Sequence, residues 1–142
     1  MKKIILIAFA AILSFQIAIS QELGFRVGDI VGNTVAADFV FAFKTGRIHS
    51  DISFGNGVGV EILYDFIYRP VGMEALYFYA GAGGYAWFGE PFNLGMPAEI
   101  GLEYKFRQAP LALGFDWRPA FRIIENTDFI PNRFGLNLRF LF

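Results

Sequence analysis

From Arg133 to Phe142 every second residue is large and apolar: Phe134, Leu136, Leu138, Phe140 and Phe142 alternate with Gly135, Asn137 and Arg139. A repeat of two is the spacing at which a β-strand, and no helix, puts side chains on one face. The layout recurs just upstream. Leu111, Leu113, Phe115, Trp117, Pro119 and Phe121 oppose Ala112, Gly114, Asp116, Arg118, Ala120 and Arg122, while Ile100, Leu102, Tyr104 and Phe106 oppose Glu99, Gly101, Glu103, Lys105 and Arg107. Three consecutive strands therefore share one design, a face of large apolar groups backed by a face of charges and small residues.

The pattern continues towards the N-terminus. Leu23, Phe25 and Val27 stand opposite Glu22 and Arg26, and Val35, Ala37, Phe39, Phe41 and Phe43 stand opposite Asp38 and Lys44. Ile48, Ile52 and Phe54 oppose Arg47, His49, Asp51 and Ser53, and the run Val58, Val60, Ile62, Tyr64, Phe66, Tyr68 opposes Gly59, Glu61, Asp65 and Arg69. A further strand within 76–88 mixes aromatics with Gly and Ala on both faces. We place Tyr79, Gly81, Gly83 and Tyr85 with the charges, where glycines leave room for bulky neighbours. Turn chemistry falls at 28–33, 44–47, 55–57, 69–74, 90–95, 108–110 and 125–132. Eight strands with seven connections predict an all-β, antiparallel up-and-down barrel, a closed set without an exposed edge.

The first twenty residues stand apart from this. Lys2 and Lys3 precede an apolar run from Ile4 to Phe15, and Ala18-Ile19-Ser20 offers small residues where a signal peptidase reads. The expectation is a cleaved signal peptide over 1–20 and a barrel over 21–142, with Gln21 as the mature N-terminus. The remainder holds no second apolar run of the roughly 20 residues that a membrane helix needs. A net charge of −1 lacks the basic excess of a nucleic-acid binder, and 55% hydrophobic residues exclude disorder. The absence of cysteine removes disulfides, thiolate metal sites and a cysteine nucleophile.

Which face meets solvent decides the class. A soluble barrel would turn five or six Phe, Tyr, Leu or Ile side chains per strand into a lumen too narrow for them. Beyond the leader there are only two lysines, Lys44 and Lys105, although lysine is a usual surface residue of soluble domains. The better arrangement is inside out, with apolar faces towards lipid and backbone polar groups paired within the closed sheet. The charged face then becomes a lumen. We expect a charge network of Arg26, Asp38, Glu61, Asp65, Arg69, Glu99, Glu103, Lys105, Asp116, Arg118, Arg122 and Arg139, joined by Glu22, Asp51, Lys44, Arg47, Arg107 and Arg133. Buried charges are tolerated when paired, and arginine serves several carboxylates at once. Between the sixth and seventh strands, charge complementarity favours Lys105 opposite Asp116, Glu103 opposite Arg118 and Glu99 opposite Arg122.

The wording of the last third, Ile100-Gly101-Leu102-Glu103-Tyr104-Lys105-Phe106, then Pro110-Leu111, Asp116-Trp117-Arg118-Pro119-Ala120-Phe121 and the terminal Phe142, resembles small outer-membrane β-barrel proteins. The layout is similar to the OmpX and OmpA-barrel type, the porin-like outer-membrane barrels of Gram-negative bacteria. The resemblance implies an eight-stranded barrel with both termini in the periplasm. It further implies that the terminal aromatics, Phe142 with Phe140, are read by the outer-membrane assembly machinery. It implies no reaction, and the short outward loops depart from the protruding strands of the OmpX type.

Catalytic groups are sparse. His49-Ser50-Asp51 holds the residue types of an esterase, but neighbours on a strand point to opposite faces, so a partly buried structural histidine is expected. Glu99 and Glu103 lie roughly 13 Å apart along a strand, too far for a glycosidase pair. The Gly81, Gly83, Gly84 cluster lacks the helix of a phosphate loop. The acids are spread over different strands, without the spacing of a metal site. No enzyme, cofactor or metal is therefore expected. Glu125 and Asp128 in the last outward loop are expected to be solvated, with loose contacts to divalent ions or lipopolysaccharide as the alternative. The functional expectation is an outer-membrane barrel with a closed lumen and a structural or surface-interaction role, whose partners are lipid, lipopolysaccharide and the assembly machinery. A narrow pore and a lipid-modifying enzyme are the alternatives.

Overall fold

The computed structural model describes residues 20–124 and 127–142. The expected signal peptide falls almost wholly outside these, although Ser20, one residue before the expected mature start, already pairs with Ala42. Ten strand segments follow: β1 (Ser20–Ile30), β2 (Asn33–Ala42), β3 (Arg47–Phe54), β4 (Val58–Pro70), β5 (Leu76–Phe88), β6 (Asn93–Lys105), β7 (Leu111–Trp117), β8 (Ala120–Arg122), β9 (Asp128–Ile130) and β10 (Phe134–Leu141). They build eight barrel strands, because β7 runs on into β8 through Arg118 and Pro119, and β9 into β10 through residues 131–133. β1 pairs with β2 on one side and β10 on the other, and β5 with β6 completes the ring, every pairing antiparallel. The result is a closed up-and-down barrel.

Local chemistry explains the joints. β1 and β2 meet in a two-residue turn at Val31 and Gly32, both with positive φ (44° and 83°), the geometry whose twist matches paired strands. A β-branched residue resists that conformation, and Val31 is held in it by packing with Tyr85, Ala120 and Trp87 at this end of the lumen. Pro119 cannot donate to a ladder, which splits the seventh barrel strand. Pairing survives across the break because the Ala98 amide donates to the Pro119 carbonyl at 2.9 Å and the Arg118 amide to the Arg133 carbonyl at 2.7 Å.

The two faces separate as alternation predicts. Phe25, Phe54, Phe66, Leu136 and Phe140 are more than half exposed on the outside, whereas Arg26, Asp38, His49, Asp116 and Arg139 are fully buried inside. Tyr79, Gly81 and Tyr85 of β5 also face inward. The outward row on β4 breaks after Phe66. A bulge between Asp65 and Ile67 inserts one residue, so Tyr68 turns inward and Arg69 turns out. Lys44 and Arg107 are exposed too, Arg107 pairing with the exposed Glu74.

The register between β6 and β7 differs from the charge-matched one. Gly101 lies opposite Asp116 and Glu103 opposite Gly114, and the same register sets Arg118 beside Glu99. The short turn fixes it through a 2.9 Å bond from the Phe106 amide to the Leu111 carbonyl. Volume outweighs charge here. A large inward side chain on one strand faces glycine or alanine on the next, and the ring of Tyr79 fills the space a side chain on Gly101 would need. One substitution, Ala for Gly, should therefore act with opposite signs at two sites. A Cβ at Gly24 would overlap the Leu138 carbonyl, while at Gly84 the nearest atom is 3.8 Å away. In urea unfolding, Gly24→Ala should destabilise by about 1–3 kcal/mol through overpacking, and Gly84→Ala should stabilise by about 0.5 kcal/mol by restricting the unfolded chain.

Candidate functional site

Among the described residues the buried lumen is where chemistry-bearing side chains concentrate, and strand geometry dictates which ones arrive. Inward residues of β2, β3, β4, β6, β7 and β10 all project into one narrow space. Arg118, held beside the Pro119 break by its amide bond to the Arg133 carbonyl, reaches across it with its side chain. Its Nη1 donates to Glu61 Oε1 at 2.6 Å and to Asp51, and its Nε donates to Glu99 Oε2 at 2.9 Å. Thus the seventh barrel strand is tied to β3, β4 and β6.

A second crossing uses Arg139 of β10. It donates to Asp38 Oδ2 at 3.1 Å, pairs with Glu22 Oε2 at 2.9 Å and bonds Glu103. Arg47 donates to Asp65 Oδ2 at 2.8 Å and Glu103 at 3.3 Å, while its guanidinium lies between the rings of Tyr68 (4.2 Å) and Tyr79 (4.6 Å). Arg26 binds Asp116 at 2.5 Å, and Asn137 donates to the other Asp116 oxygen at 3.1 Å. Arg133 donates to Glu61 Oε2 at 2.7 Å. Arginine suits this work because its planar fork offers five donors and keeps its charge.

Of the twelve network residues expected from sequence, nine are buried and interconnected in this way: Arg26, Asp38, Glu61, Asp65, Glu99, Glu103, Asp116, Arg118 and Arg139. Lys105 sits at the mouth near the termini, partly exposed, 3.3 Å from Glu22 and over the Tyr68 and Tyr77 rings. Arg122 is half-buried near the opposite end and touches no carboxylate among the described residues. Arg69 lies outside the lumen, displaced by the β4 bulge. Tyr68 takes its place and donates its hydroxyl to Glu103 Oε2 at 2.7 Å.

His49 is fully buried rather than partly so, and it sits at the centre. Its Nε2 lies 2.6 Å from Asp38 Oδ1 and its Nδ1 lies 3.0 Å from Glu99 Oε1. No serine completes an esterase set: Ser53 Oγ accepts from Asn33 Nδ2 at 3.1 Å, away from the imidazole, and Ser50 lies on the other face. Ligand-type atoms do converge around the ring, in two trios that share it, Asp38–His49–Asp51 and His49–Asp65–Glu99, each within 4.8 Å. Spacing in sequence hides this because the members come from β2, β3, β4 and β6. The available signal was weaker: His49 shares its inward face with Arg47 and Asp51. Phe140 and Phe142 are outward and exposed at the end of the last strand. Asp128 is exposed at the start of β9, and Glu125 lies outside the described residues.

No family profile, curated protein or solved structure matches this chain. A set of crossing ion pairs can fill and brace the lumen, and removing one partner leaves its carboxylates buried without a countercharge. Arg118→Leu should accordingly destabilise the barrel by about 3–5 kcal/mol in urea unfolding, because three acids lose their common partner. Arg69→Leu, on the exposed side of the bulge, should change stability by less than about 0.5 kcal/mol. Equal effects of the two substitutions would contradict the observed facing of β4.

Proposed function

We propose that this chain is an integral outer-membrane β-barrel whose lumen is closed by its own ion pairs, serving a structural or surface-interaction role. One observation carries the reading: every one of the eight barrel strands presents large apolar side chains outward, while eight carboxylates and five arginines are buried inside. A continuous exposed apolar belt of this kind is foreign to a soluble monomer and suits lipid. No helix among the described residues is long and apolar enough to cross a membrane, so a crossing by these residues would use strands. Strands β4, β5 and β6 have 13 residues each, more than the roughly 9–11 that a tilted span requires.

The lumen favours a closed barrel over a pore. Arg118 reaches from the seventh barrel strand to β3 and β4, and Arg139 joins β2 and β6, with fully buried side chains that obstruct a path along the lumen. In this reading the assembly machinery recognises the exposed aromatic end, Phe142 with Phe140, and lipid, including lipopolysaccharide, covers the belt. The turns at the end remote from the termini are short, so a surface partner would meet a low rim rather than protruding loops.

Refolding into lipid vesicles tests membrane insertion. The mature chain should float with the vesicles, resist extraction by alkaline carbonate and migrate faster on electrophoresis unheated than boiled. Recovery in the soluble fraction would contradict insertion. In a planar bilayer the wild-type barrel should show no stable unitary conductance, whereas steady channel openings would replace the closed reading with the pore. Deleting Phe142 should lower the assembled yield in cells at least several-fold, while Asn137→Ser changes it little; equal yields would remove the proposed role of the terminal aromatic.

A further inference from the structure

Among the buried side-chain atoms of the lumen that lack a hydrogen-bond partner are two carboxylate oxygens near His49, Asp51 Oδ1 and Asp65 Oδ1, and the second stands beside another carboxylate. Asp65 and Glu99 stand on either side of Gly81, which pairs with both in the sheet, so two buried carboxylates face each other over a position without a side chain. Asp65 is completely buried, and its Oδ1 has no hydrogen-bond partner. That oxygen points into the gap, since a Cβ on Gly81 would fall 2.6 Å from it. The third side is closed by the Nδ1 of His49, 3.0 Å from Glu99 Oε1. An unpartnered buried carboxylate oxygen is costly, and a second carboxylate beside it makes the cost worse.

We propose that Asp65, Glu99 and His49 form a binding site for a divalent transition-metal ion of the zinc class inside the barrel. The donor set, one imidazole nitrogen and two carboxylate oxygens, is one that zinc accepts. The three ligand atoms lie within 4.8 Å of one another, and the Glu99–His49 separation of 3.0 Å is close to the about 3.3 Å edge of a tetrahedron with zinc-ligand bonds. The outer shell fits as well. With Nδ1 given to the metal, the other ring nitrogen carries the proton and donates it to Asp38 Oδ1 at 2.6 Å, the carboxylate–histidine–metal arrangement that fixes a ligand ring. Arg47 holds the remaining Asp65 oxygen and Arg118 the remaining Glu99 oxygen, so both carboxylates are already oriented. The Arg118 Nη2 lies nearly equidistant from the two ring nitrogens, at 3.3 and 3.1 Å, so it is not committed to Nδ1 alone.

Charge balance points the same way. Eight carboxylates and five arginines are buried among the described residues, which leaves three negative charges unmatched. Lys105 at the mouth answers one of them, and a divalent ion on a neutral imidazole answers the other two. The competing arrangement is a protonated His49 with one further proton shared between Asp65 and Glu99, and the two make different predictions.

The mature chain should be refolded in detergent either with Zn²⁺ or with a chelator, passed into metal-free buffer and analysed for zinc. The account predicts about one retained zinc per folded chain and a higher unfolding midpoint for the zinc-refolded sample. Asp65→Asn should lose the retained zinc, while Asp51→Asn, which removes a carboxylate of the other trio around His49, should keep it. A folded wild-type barrel that retains no zinc and unfolds identically in both preparations would establish the shared proton and overturn the site. Retention of as much zinc by Asp65→Asn, or by the urea-unfolded chain, would also overturn it. The wild-type comparison decides even if Asp65→Asn does not fold. Because the measurement is made in detergent, its outcome is independent of where the barrel resides in the cell.

Discussion

An eight-stranded barrel encloses a space about one side chain deep from each wall, and this chain fills it with charge. Every inward position must satisfy two conditions together: its volume must fit its neighbours, and its charge must find a partner before it is cut off from water. Arginine meets both, having length enough to cross the lumen and donors enough to serve several acids. Arg118 and Arg139 do this from the seventh and eighth barrel strands, and the acids of β2, β3, β4 and β6 are arranged to receive them. Glycine and alanine supply the volume, as at Gly101 beneath Tyr79 and Gly114 beside Asn137.

The outward face follows from the inward one. A lumen that absorbs most of the charge leaves the outer wall to Phe, Leu, Ile, Val and Tyr, and the sheet's closure pairs its backbone polar groups internally. In the proposed reading the same division suits the barrel to lipid and makes its lumen a poor conduit. A brace of crossing ion pairs is rigid where it is complete, and the unpartnered oxygens of Asp65 and Asp51 are among the places where protein groups alone leave it incomplete.

Much of this was legible in the sequence because a period of two is a strong signal. Strand number, strand polarity and the inward placement of Asp38, Glu61, Glu99, Asp116 and Arg139 follow from alternation alone. The failures are local and physical. A bulge after Asp65 adds one residue to β4, so alternation carried through Phe66 assigns Tyr68 and Arg69 to the wrong sides. The β6–β7 register was argued from charge, but the turn bond at Phe106 and the fit of large against small decided it, and long arginines then found partners across the barrel instead of directly opposite. The convergence of His49 with Asp38, Asp65 and Glu99 depends on how four strands stagger around a closed ring, and spacing along one chain does not encode it. Val31, a β-branched residue in a turn that favours glycine or asparagine, is tolerated because it also packs into the lumen.

In the proposed reading the apolar face is in contact with lipid and the charged face is enclosed. The chain contains no cysteine, so single cysteines carrying a nitroxide can be placed on β10 without background. In vesicles, labels at Leu136 and Leu138 should be readily relaxed by oxygen, which partitions into lipid, and protected from a water-soluble nickel chelate; a label at Ala112, on the inward face of β7, should be shielded from both. High nickel accessibility and low oxygen accessibility at Leu136 and Leu138 would show that face to be in water and would contradict the account.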